Sequence, residues 1–158
     1  MPGFTHLQRG QPVFLGHYLC AHAWAVRRDA ERVGDCMRRL DKCPLGAGAM
    51  AGTPHPIDRA LSAKLLGFSG PVENAMDAVA TRDHMCEAAS VCAIAMIQLS
   101  RMAEELVLWS TSEFRLIRIG DGYATGSSIM PQKRNPDAAE LVRGKAGRVI
   151  GDMNALMV

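Results

Sequence analysis

The residues best suited to chemistry fall in two short stretches. Gly126-Ser127-Ser128-Ile129-Met130-Pro131-Gln132-Lys133-Arg134-Asn135-Pro136 places two hydroxyls on a glycine hinge, followed by two cations and an amide. Such a loop suits closure over an anionic substrate. From composition alone a flexible linker weighs as much. Thr5-His6-Leu7-Gln8, followed by Gln11-Pro12, gathers a hydroxyl, an imidazole and amides ahead of an expected helix start. Free N–H groups at such a start favour anions. Taken alone, a histidine here is more often structural than catalytic.

Other patterns carry less. Gly46-x-Gly48-x-x-x-Gly52 has the look of a dinucleotide loop, but no strand precedes it and Pro44 sits where that strand would end. A tight bend with close backbone packing is the better reading, because the motif means little outside a strand–turn–helix setting. There is no phosphate-cradling Gly-x-x-x-x-Gly-Lys-Ser/Thr, no His-Glu-x-x-His and no Gly-x-Ser-x-Gly. The histidines make no metal spacing; His17 and His22 read as partly buried helical residues. Arg27, Arg28, Arg32, Arg38, Arg39 and Lys42 alternate with Asp29, Glu31, Asp35 and Asp41. A solvated helix face explains them better than an anion site, with Asp35 and Arg39 in the favourable i, i+4 order.

The elements that must position these groups read as helices. Residues 1–11 are polar and irregular, and Pro12 suits a first helical position. Leu15, Leu19, His22, Val26, Ala30, Val33, Met37 and Leu40 then recur at steps of three and four, one apolar face of a helix of about 30 residues. Pro44 and the glycines of 46–52 end it. A short helix is predicted over 57–66, closed by Gly67. A second long helix is predicted from Asn74 to Ser110. Its centre, Ala88 to Ile97, is apolar nearly all round and so calls for burial on every side. Residues 115–119 alternate briefly, as a short extended piece would. Residues 120–136 form a long Gly- and Ser-rich loop of a length more often functional or disordered than incidental. A third long helix is predicted over 137–158.

Composition agrees. The chain has 158 residues, 48% of them hydrophobic and 22% charged, which excludes disorder and suggests one domain. Ala contributes 22 residues and Met 10 against 5% aromatics, favouring an all-α fold. The net charge of +2 comes from mixed signs and does not point to nucleic acid. The longest apolar run, Val91 to Ile97, is far below the roughly 20 residues of a membrane span, and the N-terminus does not read as a secretory signal. An odd set of cysteines (20, 36, 43, 86 and 92) without Cys-x-x-Cys suggests neither a disulfide frame nor a zinc site, and a reduced, cytoplasmic setting is expected. Three long helices cannot enclose one another. The all-round apolar stretch therefore implies further helices, from sequence beyond this segment or from other subunits.

Residues 126–136 match the Gly-Ser-Ser-x-Met-Pro-x-Lys-x-Asn-Pro signature of the fumarase/aspartase superfamily throughout, and Thr5-His6-Leu7-Gln8 resembles a second signature region. Within it, the chain most resembles the argininosuccinate lyases. The supporting stretches are Pro2 to Pro12, Leu45 to Thr53, Pro56-Ile57-Asp58-Arg59, Asp77-Ala78-Val79, Ser100 to Ser110 and Pro131 to Asp137. Departures are Gly10 where Ala is usual, His55 where an aromatic is common, and a looser stretch from Arg115 to Tyr123.

The resemblance implies a long-helix bundle, the central domain of the fumarase/aspartase-like fold. It implies reversible elimination of argininosuccinate to arginine and fumarate, without metal or organic cofactor. Ser127 matches the family's proton-abstracting base, His6 its candidate acid and Glu140 the carboxylate orienting that histidine. Lys133 and Asn135 match carboxylate-binding positions, and Thr5 is a further substrate contact. The resemblance also implies a homotetramer whose sites are shared between subunits, so that His6 serves a neighbour's Ser127. Residues 1–158 are expected to be a partial central domain lacking the family's N- and C-terminal domains, with little or no activity alone. The alternatives are an inactive truncated or crystallin-like structural relative and, less well supported by the flanking stretches, adenylosuccinate lyase or fumarase.

Overall fold

A computed structural model describes residues 1–158. The chain opens with a β-hairpin where an irregular segment was expected. β1 (Pro2–Thr5) pairs antiparallel with β2 (Gln8–Pro12), with Phe4 opposite Arg9 and Thr5 opposite Gln8. The two-residue turn is His6-Leu7, with φ of 53° and 59°. Positive φ at both central positions is the primed geometry that matches strand twist, although neither residue is glycine. Pro12 accordingly ends β2 instead of starting a helix. The Met1 amine donates to the Val13 carbonyl at 2.9 Å, and the Val13 N–H donates back to Met1 at 2.9 Å.

α1 (Leu15–Leu40) follows. Below it lies a small lobe centred on Cys43, which is fully buried and bridges to Pro71. Arg59 pins this lobe, its Nη2 donating to the Val72 carbonyl at 2.9 Å and its Nε to that of Leu45 at 3.2 Å. The glycine run is the tight bend expected. Gly48 has φ of 66°, and a Cβ there would lie 2.5 Å from the Gly52 carbonyl oxygen. α2 (Arg59–Leu66) begins two residues later than its apolar pattern suggested, because Asp58 caps it by accepting from the Leu61 N–H at 2.9 Å. It ends at Gly67, in the left-handed conformation at φ of 81°.

The second long helix is two helices. α3 (Ala75–Ala80) and α4 (Asp83–Ser110) are separated at Thr81 and Arg82. Polar side chains take over the backbone groups at the break. The Arg82 guanidinium donates to the Val79 and Thr81 carbonyls, and the Thr81 hydroxyl donates to Asp83 at 2.9 Å. That hydroxyl and the His84 N–H hold the Asp83 carboxyl below its ordinary range. A 3₁₀ turn covers Asp121–Tyr123. β3 (Thr125–Gly126) and β4 (Arg134–Asn135) then form a minimal antiparallel pair, and α5 (Asp137–Met157) completes the chain. The alternating residues 115–119 pair with no strand; Arg115 has φ of 49°, and the Leu116 and Ile117 N–H groups turn back to the Trp109 carbonyl.

α4 is the central element, packed on both α1 and α5. It runs antiparallel to α1: Tyr18 meets Trp109, His22 meets Glu105 and Arg39 meets Glu87. It runs antiparallel to α5 as well, with Glu104 paired to Arg143 and the Cys86 thiol near the Leu156 carbonyl. The contacts are made by small residues, among them Ala25 on α1, Ala93 and Ala103 on α4, and Ala139 and Ala146 on α5, all buried. The face of α1 that packs is therefore the one carrying Ala25, Asp29 and Cys36. Of the stripe singled out from spacing, His22 packs inward, while its bulky apolar members stay outside, with Leu19 51% and Met37 64% exposed. α1 has apolar residues on both faces, and periodicity alone gives the wider stripe. Asp35 pairs with Arg38 and not Arg39, because Arg39 reaches across to Glu87 on α4. The centre of α4 is not enclosed on every side within this chain, since Ile97 is 45% exposed.

Candidate active site

Ser127 and Lys133 bound one loop, residues 127–133, that the β3–β4 pair closes, and Asn135 stands on β4 at its stem. Thr125 faces Asn135 and Gly126 faces Arg134 across that pair. Inside the loop the Ser127 Oγ accepts the N–H groups of Ile129 at 3.3 Å and Met130 at 3.1 Å. The Lys133 N–H donates to the Met130 carbonyl at 3.0 Å, closing a second turn. Two N–H donors on one serine oxygen favour its anionic form over its neutral form. Ser127 and Asn135 are half-buried, whereas the Lys133 side chain is exposed.

Glu140 follows directly, in the first turn of α5 and exposed, its N–H donating to the Pro136 carbonyl at 3.1 Å. Beside this first turn an apolar cleft of about 400 Å³ opens between α4 and the loop stems, lined by Leu99, Met102, Leu106, Tyr123 and Val142 among others.

Thr5 and His6 stand apart from this loop, exposed at the tip of the hairpin. The hairpin is anchored by Phe4, whose ring meets Phe114 edge-on at 5.1 Å between centroids. Phe114 lies just past the end of α4, so one helix end carries both the hairpin and the chain leading to the serine loop. No hydrogen bond or ion pair joins His6 to Ser127, Lys133 or Glu140 in the single chain.

A polar cluster that the motifs did not mark lies beneath the hairpin. The His22 Nε2 and Glu105 Oε2 are 2.6 Å apart, with the Tyr18 ring tilted against Trp109 at 4.9 Å between centroids. Burial, with Glu105 beside it, pushes the Tyr18 hydroxyl up to about 12. His22 is the partly buried helical histidine its position suggested, with 17% of its side chain exposed, while His17 is exposed. The available signal was a pair of i, i+4 polar–aromatic steps, Tyr18–His22 and Glu105–Trp109. Only the antiparallel register makes them meet. No three His, Cys, Asp or Glu side chains of the chain are grouped so as to hold a metal ion. No helix is long and apolar enough to cross a membrane.

The Lyase family model matches residues 1–151, and thus both signature stretches. The chain belongs to the Lyase family. Within that family it is 58% identical over 157 residues to the argininosuccinate lyase of Symbiobacterium thermophilum and 57% identical to that of Pelotomaculum thermopropionicum, covering 99% of this chain and 34% of each relative. It therefore spans about a third of the length of the curated relatives it matches. Among solved structures, EDDS lyase in complex with formate superposes with a TM-score of 0.93 at 41% identity, covering 97% of this chain and 31% of that one. Class II fumarase from Schistosoma mansoni superposes at 0.78 with 20% identity, covering 96% and 37%, which shows a shared fold. The all-α reading of the lyase family segment is thereby established.

Proposed function

We propose that this chain is the central segment, a partial domain over residues 1–158, of an argininosuccinate lyase, which splits argininosuccinate reversibly into arginine and fumarate. The observation that carries the reading is the near-complete match, 58% identity over 99% of the chain, to a relative bearing that activity, with the signature of residues 126–136 intact.

The chemistry requires a proton to leave a carbon beside a carboxylate, and charge to spread onto that carboxylate. Preorganised donors aimed at the developing charge supply the largest share of such catalysis. Lys133 and Asn135 serve as those donors, and Thr5 as a further substrate contact. Ser127 takes the proton, its alkoxide stabilised by the Ile129 and Met130 N–H groups. His6 delivers a proton to the leaving guanidino nitrogen, directly or through water, and Glu140 orients it. That no hydrogen bond or ion pair joins His6 to Ser127 or Glu140 in one chain supports a site assembled from several subunits of a homotetramer. The reaction needs no metal or organic cofactor, takes a small-molecule substrate and belongs to the cytoplasm, with no nucleic acid or membrane involved.

The test seats this chain in the matching third of the Symbiobacterium thermophilum enzyme and follows fumarate release from argininosuccinate by ultraviolet absorbance. Turnover comparable to the parent supports the reading. No fumarate from the chimera, beside an active parent, overturns it and favours an inactive or crystallin-like relative.

A further inference from the structure

The end of α4 carries two structures that the chemistry must hold in register. Phe114 anchors the hairpin bearing Thr5 and His6. The Trp109 carbonyl accepts the Leu116 and Ile117 N–H groups at 2.9 and 3.2 Å, directing the chain toward the serine loop. α1 begins three residues after β2, so the hairpin also moves with α1. Any slip of α1 along α4 would displace His6 relative to Phe114 and Trp109.

One cluster opposes such a slip near the hairpin. The His22–Glu105 contact at 2.6 Å joins the two helices, and one turn closer to the hairpin Tyr18 packs on Trp109. Arg101 lies one further turn along α4, close enough to influence the Tyr18 hydroxyl. The other α1–α4 polar link, Arg39 to Glu87, sits at the far end on the surface. A directional, half-buried hydrogen bond fixes helix register where alanine contacts alone tolerate sliding.

We propose that His22 and Glu105, with Tyr18 and Trp109 beside them, are positioning residues for the lyase reaction: they lock α1 to α4 and so set where the hairpin presents His6. The inference rests on the lyase reading above. A displacement of about 1 Å in a reacting group costs on the order of 100-fold in rate, so the lock is expected to act on kcat more than on KM.

The experiment is a double-mutant cycle in the chimeric enzyme. Glu105→Ala is expected to lower kcat by about 10- to 100-fold with KM changed less than about 3-fold, and Glu105→Gln, which keeps an acceptor in place, to recover most of the rate. In a His6→Asn background Glu105→Ala should lower kcat by less than about 2-fold further, because groups acting through one another are non-additive. Equal multiplicative losses in both backgrounds would reduce Glu105 to a general stability role and overturn the proposal. Should Glu105→Ala lose its helical circular dichroism, His22→Ala replaces it in the same cycle, judged by the same criterion. An inactive parent chimera would defeat the lyase reading; an active one indifferent to these changes defeats only the positioning role.

Discussion

At the residue scale, the serine loop bears on a difficulty of the proposed chemistry. A neutral hydroxyl is a weak base, so Ser127 needs stabilisation of its oxyanion. Two N–H groups already point at its Oγ, and Lys133 lies on the same loop. Replacing Ser127 by Ala in the chimeric lyase is therefore expected to lower kcat by about 10²- to 10⁴-fold, the range for a general base, as read from fumarate release at saturating substrate. Burial gives Tyr18 a different kind of sensitivity. Its folded value of about 12 lies above the ordinary 10.0, so the native state holds the phenolic proton where the unfolded state loses it. Its contribution is fully present below pH 10 and is lost as pH rises from 10 through about 12. Denaturation midpoints measured across that window should fall for the wild-type chain and fall less steeply for Tyr18→Phe.

At the scale of elements, the two halves of the candidate site differ in how they are held. The serine loop is closed by its own β3–β4 pair, whereas the histidine rides on a hairpin whose turn is left-handed at two non-glycine residues. The small lobe shows the same dependence on a single backbone conformation. Gly48 combines positive φ with a close approach to Gly52, so Gly48→Ala is expected to destabilise by about 1–3 kcal/mol, measurable as a lowered denaturation midpoint. The sequence made much of this legible. Helix-period spacing located α1, α4 and α5, Gly67 marked a helix end, and residues 126–136 pointed to the candidate site. Three features stayed hidden because they depend on competition between local signals and distant partners. The hairpin at Pro2–Pro12 was masked by polar residues and by a proline equally suited to helix starts. The break at Thr81 and Arg82 depends on side chains capping backbone groups that no periodicity records. The packed face of α1 is chosen by alanines that allow close approach, against a bulkier stripe that remains outside.

At the scale of the whole molecule, the balance of burial decides what this chain can do alone. Only 11 of 158 residues are buried, and the largest side chain fully buried is Cys43. A self-sufficient domain of this length would bury about two thirds of the surface its unfolded chain exposes. Here Leu19, Val26, Val33 and Met37 form an exposed apolar stripe on α1, and Ile97 breaks the surface at the centre of α4. Apolar patches of this extent on soluble proteins mark contacts to be covered. Within the lyase reading, the cover comes from the remaining two thirds of the polypeptide and from neighbouring subunits. The isolated chain is accordingly expected to bind a hydrophobic fluorescent dye strongly and to elute in gel filtration above the size of a 17.1 kDa monomer. Seating it in the longer relative should remove most of the dye binding. Substituting Leu19 and Met37 together by Gln tests the cause: the isolated chain should then shift toward monomer, while the chimera should lose assembly and, with it, fumarate release. A chimera that assembled and turned over normally with both substitutions would show that the α1 stripe covers nothing, and the shared-core account of this segment would fail.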